Sequence, residues 1–171
     1  MHLPLSCSMM LSDVREDTGL GTLKEFGERF GQENVHFVKC DVTKDEEIVN
    51  LYESCEAHFN KKVDIFCNNA GINHVLGWRK CMQIDIVSSS LFSFFFSQWY
   101  DAFFQMAVMA GTEIAMERMS LDKGGNGGLI VNTASLAGIV KGFGEDSSSY
   151  FVAKHGVVTL TRTLGVFLNF F

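Results

Sequence analysis

The chain carries a single proline against 16 glycines in 171 residues, which excludes collagen-like and proline-rich architectures. Charge is sparse, at 20% against 47% hydrophobic residues, and such a chain is too apolar to be intrinsically disordered. Basic residues are not in excess: 14 Lys and Arg against 20 Asp and Glu leave a net charge of −6. That balance argues against a broad electrostatic grip on nucleic acid or an anionic membrane, while leaving room for one phosphate-bearing small molecule in a local pocket. There is no CxxC pair and no Cys/His group with zinc spacing, so no metal site is expected. The five cysteines (Cys7, Cys40, Cys55, Cys67 and Cys81) are scattered and odd in number, which suits reduced, packed thiols. The opening MHLPLSCSMMLSD lacks a basic start and an apolar core, so no signal peptide is expected and the cytoplasm is the expected location. No repeat is visible, and the length fits one domain.

What is present is an alternation of short apolar runs and amphipathic stretches. Met9 to Ser12 reads as a strand ending in Asp13. Leu23, Phe26 and Phe30 then set a helical spacing that Gly31 stops. Val35 to Cys40 is β-branched and aromatic, hence a strand. Thr43 and Glu46 form a capping-box pattern for a helix whose apolar stripe is Ile48, Leu51, Tyr52, Cys55 and Phe59. Val63 to Cys67 is the next strand, and it runs into Asn68-Asn69-Ala70-Gly71. MAVMAGTEIAMERMS from Met106 is helical by propensity, GGNGG at Gly124 to Gly128 is a turn, and Leu129 to Thr133 is a further strand. A last helix begins near Tyr150. Strands and helices in alternation predict an α/β fold with a parallel sheet and crossover helices.

In such sheets ligands bind beyond the carboxyl ends of the strands. Those ends here carry Asp13, Asp41, Asn68-Asn69 and Ser135. A carboxylate at the position of Asp13 suits hydrogen bonds from an adenosine ribose and favours NAD over NADP; it equally suits the cap of the following helix. Asp41 is open to the same capping role, and Asn68 to Gly71 to that of a plain turn. Tyr150 and Lys154 lie four apart on a helix and face the same way. An ammonium beside a phenol favours the phenolate form, which makes an acid/base suited to neutral pH, although the spacing alone also occurs by chance. Ser135 precedes Tyr150 by 15 residues, at a strand end where its hydroxyl could meet a substrate oxygen.

Taken in order, Asp13, CDVT at Cys40 to Thr43, NNAG at Asn68 to Gly71, TASLAG around Ser135 and YFVAKHG from Tyr150 resemble the short-chain dehydrogenase/reductase family. FVKCDV, DIFCNNAGIN and TASLAG with AKHGVV are most similar to its NAD-dependent 15-hydroxyprostaglandin dehydrogenase branch. The resemblance implies a Rossmann-like doubly wound parallel sheet, NAD as cofactor, and a Ser-Tyr-Lys oxidation of a secondary alcohol. It implies that Tyr150 takes the hydroxyl proton, that Lys154 holds the ribose and tunes Tyr150, and that Ser135 orients the substrate oxygen. Asp85 stands where the family has a catalytic-site asparagine. The implied NAD contacts are Asp13, Val14, Cys40, Asp41, Val42, Asn68, Asn69, Ala70, Gly71, Tyr150 and Lys154. The implied partners are a small-molecule hydroxy substrate and further copies in a homo-oligomeric parent, with no nucleic acid and no membrane. NNAG and TASLAG disfavour an epimerase-like relative that shares only YxxxK. A non-catalytic remnant acting through protein association stays open as the alternative.

The family's glycine-rich phosphate loop would fall ahead of Met1, because it precedes the acidic residue by about 20 positions. Its later strands would follow Phe171. The expectation is therefore a partial NAD-binding domain over 1–171, lacking the first βα unit and the C-terminal strands. Val87 to Gln105, which holds six of the 16 phenylalanines, has no counterpart in the family and reads as an insert. Gln98, Asp101 and Gln105 interrupt it too often for a membrane span. Val87-Ser88 permits donor-like codons and Phe103-Phe104-Gln105 acceptor-like ones, and removing 87–105 joins MQIDI to MAVMAGTEIAMERMS in frame. Such a segment is expected to project from the sheet or be poorly ordered.

Overall fold

A computed structural model of the chain describes residues 7–71, 107–140 and 148–167. Both Asp85 and the 87–105 segment lie outside the described residues. The chain divides into two compact units, one from Met1–Asp41 and Glu46–Lys61, the other from Val42–Asp45 and Lys62–Phe171.

In the first unit β1 (Met9–Asp13) and β2 (Val35–Lys39) pair in parallel, from Met9 opposite Val35 to Asp13 opposite Lys39. A parallel pair needs a long crossover, and α1 (Glu16–Phe30) supplies it. Glu16 and Asp17 at its start and Arg29 at its end suit the helix dipole. The helix stops at Gly31, whose N–H closes on the Gly27 carbonyl at 3.0 Å. Gly19 is buried against the Phe37 ring, which lets α1 lie close on β2. Phe30, the last residue of α1, is 51% exposed and packs edge-on against Phe26 with the Arg29 guanidinium over it.

The following helix, α2 (Asp45–Phe59), starts later than the capping pattern suggested, with Thr43 in a turn. Its entry is organised by Glu47 rather than Glu46, since the Glu47 carboxylate accepts the Asp41 N–H at 2.7 Å. Ile48 and Tyr52, one turn apart, are its buried side chains, as the stripe predicted. His58 near its end stacks on His36 of β2, with ring centroids 4.0 Å apart and planes 11° from parallel.

In the second unit β3 (Ile65–Asn68) pairs in parallel with β4 (Leu129–Asn132), Ile65 opposite Leu129 and Asn68 opposite Asn132. Phe66, Asn68, Ile130 and Asn132 point to the covered side, while Ile65, Cys67, Leu129 and Val131 are exposed. α3 (Ala107–Met119) packs on both strands through a face of small residues: Ala107, Ala110, Gly111 and Ala115. α4 (Ser148–Phe167) buries Ala153, Lys154 and Val157 and lies against a single 3-10 turn, Leu136–Gly138. The described strands thus form two two-stranded parallel sheets, with Asp13 and Lys39 at the carboxyl end of one and Asn68 and Asn132 at that of the other. No helix among the described residues is long and apolar enough to cross a membrane.

Candidate functional site

The carboxyl end of the β3–β4 ladder is a hydrogen-bonded cluster built from four elements. The ladder's last backbone bond, Thr133 N–H to the Asn68 carbonyl at 2.9 Å, brings the two strand ends level. On the covered side the Asn68 amide donates to Asn132 Oδ1 at 2.8 Å, to Thr112 Oγ1 at 3.1 Å and to the Val108 carbonyl at 3.4 Å. The Thr112 hydroxyl donates in turn to the Val108 carbonyl at 2.6 Å. The Asn132 amide donates to Thr161 Oγ1 at 3.0 Å, and Thr161 donates to the Val157 carbonyl at 2.8 Å. One residue further along, the Thr133 hydroxyl donates to Asn69 Oδ1 at 2.9 Å. Two successive rungs are therefore tied side chain to side chain as well as through the backbone. Gly111 makes the close approach of α3 possible, because a Cβ there would meet the Asn68 side chain.

Lys154 is 5% exposed. A buried ammonium needs partners, and Nζ donates to the Thr133 carbonyl at 3.3 Å and lies 5.7 Å from the centroid of the half-buried Tyr150 ring. The i, i+4 spacing thus does bring Tyr150 and Lys154 to one face. Ser135 caps the 3-10 turn, and its Oγ accepts the Ala137 N–H at 3.2 Å. That is an acceptor role, which leaves the hydroxyl proton available to donate. Gly138, in the same turn, abuts the backbone of Lys154. Asn69, Ala70 and Gly71 continue from β3 as exposed loop.

In the first unit Asp13, Val14, Cys40 and Asp41 cluster at the carboxyl end of β1–β2. Asp13 is exposed, and its Oδ1 accepts the Arg15 N–H at 2.8 Å. It is not the helix cap, a position that Arg15 occupies without a side-chain bond. Val14 is 55% exposed. Cys40 is buried, its N–H bonded to the Asp13 carbonyl at 3.1 Å. Burial first, then the Glu47 and Asp41 carboxylates, push its thiol up to about 11, so it is no nucleophile at neutral pH. Val42 is half-buried in the second unit's Val42–Asp45 segment.

Thr112, Asn132 and Thr161 are the residues that sequence reasoning passed over. A signal did exist for Asn132: it sits two residues after Ile130, so it faces inward on a strand whose inward positions should be apolar. An inward amide requires a buried partner.

A sequence profile described as short chain dehydrogenase matches residues 5–169. A curated relative, 15-hydroxyprostaglandin dehydrogenase (NAD(+)) of Macaca fascicularis, is 30% identical over 159 residues, covering 93% of this chain and 52% of that protein. The chain thus spans about half the length of the curated relatives it matches. A short chain dehydrogenase/reductase of Burkholderia phymatum, solved in complex with NAD, superposes with a TM-score of 0.69 at 23% identity, covering 92% of this chain and 50% of that one. A short chain dehydrogenase of Mycobacterium smegmatis gives 0.71 at 24%, over 93% of this chain and 59% of its own. These two likenesses show the fold.

Proposed function

The chain belongs to the short-chain dehydrogenase family, and from that premise we propose that it is part of an NAD-dependent oxidoreductase that oxidises a secondary alcohol, of the 15-hydroxyprostaglandin dehydrogenase type. The observation that carries this reading is the buried Lys154 ammonium held between the Thr133 carbonyl and the Tyr150 ring. Tyr150 takes the substrate's hydroxyl proton, and Lys154 offsets the charge on the phenol oxygen as that proton is exchanged. Ser135 donates its hydroxyl proton to the substrate oxygen and so orients the alcohol. NAD, when bound, supplies the hydride acceptor. The donor and acceptor chemistry fits it: Asp13 offers an exposed carboxylate for ribose hydroxyls, and Lys154 offers an ammonium. Val14, Cys40 through its backbone, Asp41, Val42 and Asn68 to Gly71 complete the proposed contacts. Asp85 is assigned to the proton path on resemblance alone.

The domain reading goes with this: 1–171 as a partial NAD-binding domain interrupted by a non-family insert at 87–105. Tryptic peptides spanning Ile86 to Met106 test the insert, and abundant SLFSFFFSQWYDAFF would mean that it is a genuine part of the protein.

Thermal unfolding of the chain with NAD and with NADP tests the cofactor. NAD is expected to raise the midpoint more, since Asp13 repels a 2′-phosphate; tighter NADP binding overturns the assignment of Asp13. In a full-length form, Tyr150→Phe is expected to abolish turnover and spare NAD binding, and undiminished turnover would put the chemistry elsewhere. A second reading, a non-catalytic association module, draws on the exposed Ile65–Leu129 pair, each 56% accessible. Absence of any stabilisation by either dinucleotide would favour it.

A further inference from the structure

The proposed chemistry depends on where the Lys154 ammonium is held, and that depends on how α4 is registered on β4. Among the described residues, α4 meets the strand end through hydrogen bonds and the following turn through a close backbone approach. Lys154 Nζ donates to the Thr133 carbonyl at 3.3 Å. Asn132 Nδ2 donates to Thr161 Oγ1 at 3.0 Å. Between them the 3-10 turn presses Gly138 against Lys154, where a Cβ would come within 2.5 Å of the backbone oxygen.

The Asn132–Thr161 bond is fixed in direction from both sides. Asn132 Oδ1 already accepts from Asn68, so the amide nitrogen is the end that faces α4. Thr161 already gives its proton to the Val157 carbonyl, so its oxygen faces Asn132 as an acceptor. Lys154 and Thr161 are seven residues apart on one helical face, about 10.5 Å along the axis at 1.5 Å per residue. Their strand partners, Thr133 and Asn132, are adjacent residues. A slide of α4 by one residue's rise, about 1.5 Å, would lengthen or bend both bonds.

We propose that Asn132 and Thr161 are positioning residues for Lys154: their hydrogen bond fixes the axial register of α4 so that the ammonium stays on the Thr133 carbonyl and beside Tyr150. The functional weight of this rests on the oxidoreductase reading, but the geometry does not. The competing account is that Thr161 only back-bonds within its helix, as helical threonines commonly do, and contributes ordinary stability.

The test uses the full chain with no cofactor and no turnover, so its outcome is separate from that of the NAD experiment. Amines are acetylated with N-hydroxysuccinimidyl acetate, and the rate at Lys154 is followed by peptide mass spectrometry, with exposed Lys123 as internal reference. Thr161→Val keeps the shape and removes the acceptor; Thr161→Ser restores it. Lys154 is expected to acetylate slowly in the native chain, several-fold faster in Thr161→Val, and slowly again in Thr161→Ser, with Lys123 unchanged. Amide exchange at Ala153 and Val157 should stay the same, because the helix moves without melting. Should Thr161→Val fail to fold, Thr161→Ala removes the same hydroxyl with better helix propensity and serves in its place. Unchanged Lys154 acetylation in the variants overturns the proposal. So does a rise matched by faster amide exchange along all of α4, which would mean a stability role alone.

Discussion

At the end of the β1–β2 ladder the hydrogen bonds of Asp13 and of the Asp41 backbone are made to near neighbours, and the distant Lys39–Glu16 contact is an exposed ion pair. The amides, threonines and lysine at the end of β3–β4 bond instead to residues far along the chain. Asp13 accepts from the residue two ahead, and Glu47 reaches back six to Asp41. By contrast Asn68 binds partners 44 and 64 residues away, Thr133 one that is 64 away, Asn132 one at 29 and Lys154 one at 21. Local bonds form with little loop-closure cost and leave the side chain open to a ligand. Distant ones are made only when the whole unit folds, and they then hold groups in one geometry. Each end suits a different part of the proposed chemistry. A carboxylate that grips flexible hydroxyls can stand on a locally built edge, while an acid/base pair needs the preorganised end.

The comparison breaks most sharply at glycine. Gly138→Ala puts a Cβ 2.5 Å from the Lys154 oxygen and 2.9 Å from its carbon, which are backbone atoms that cannot rotate away. Overpacking of this kind costs about 1–3 kcal/mol, and chemical denaturation should show it near the top of that range. Gly21→Ala in α1 is the counterpart. Nothing lies within 4 Å of its added Cβ, so helix propensity alone acts and stability should rise by about 0.5–1 kcal/mol. A loss at Gly21 and none at Gly138 would reverse the argument.

Next in size is the pair Asn68→Ala and Asp13→Ala. Removing Asn68 strips a donor from Asn132 and Thr112 inside a partly buried cluster, and leaving such groups unsatisfied costs about 1–3 kcal/mol. Removing Asp13 loses one exposed local bond, and about 0.5 kcal/mol is the expected scale. Denaturation midpoints of the two variants measured side by side decide it, and equal losses would erase the contrast.

The same contrast governs how much the sequence revealed. The limits of β1, the stop at Gly31 and the run of α3 were legible, because a short apolar run, a helix-ending glycine and propensity are local signals. A near miss fell where side chains choose between neighbours. The sequence singled out Glu46 at the entry to α2, while Glu47 is the residue whose carboxylate reaches back to the Asp41 N–H. Tyr150 and Lys154 were placed correctly on one face because four residues on a helix fix that geometry. Thr112 and Thr161 were not legible as partners of the strand ends. Their spacing along the chain carries no trace of which asparagine they meet, and only the register of β3 on β4 and the seating of both helices supply it.

Acid should separate the units further. In the first, burial and then the stacked His58 hold His36 below its ordinary value of 6.5, so folding favours the neutral ring. Its contribution is fully present above 6.5 and is lost as pH falls through the lowered value, so β1–β2 should lose stability on mild acidification. Because burial is the larger cause, His36→Phe should flatten this dependence more than His58→Phe does. Amide exchange of β2 against pH measures it, and an equal effect of the two variants would make the neighbouring ring the main cause instead.

Glu113 on α3 gives the second unit the opposite slope, and the smallest effect. Burial, and after it the Asp45 carboxylate, raise its carboxyl above the ordinary value of 4.5, so folding favours the protonated acid. That contribution is fully present below 4.5 and is lost as pH rises through the raised value. Above that range the charged carboxylate is a mild burden on the fold, softened because Glu113 is partly exposed to solvent and screened there. Glu113→Gln keeps the shape and the protonated-like neutrality at every pH. Its melting temperature should match the native chain below pH 4.5 and exceed it slightly at neutral pH, the gap opening as the native carboxyl ionises. Asp45→Asn should recover only part of that gap, since the neighbouring charge is the lesser cause. If the gap were instead widest in acid, the native side chain would be stabilised by its charge, and the opposition between the two units would disappear.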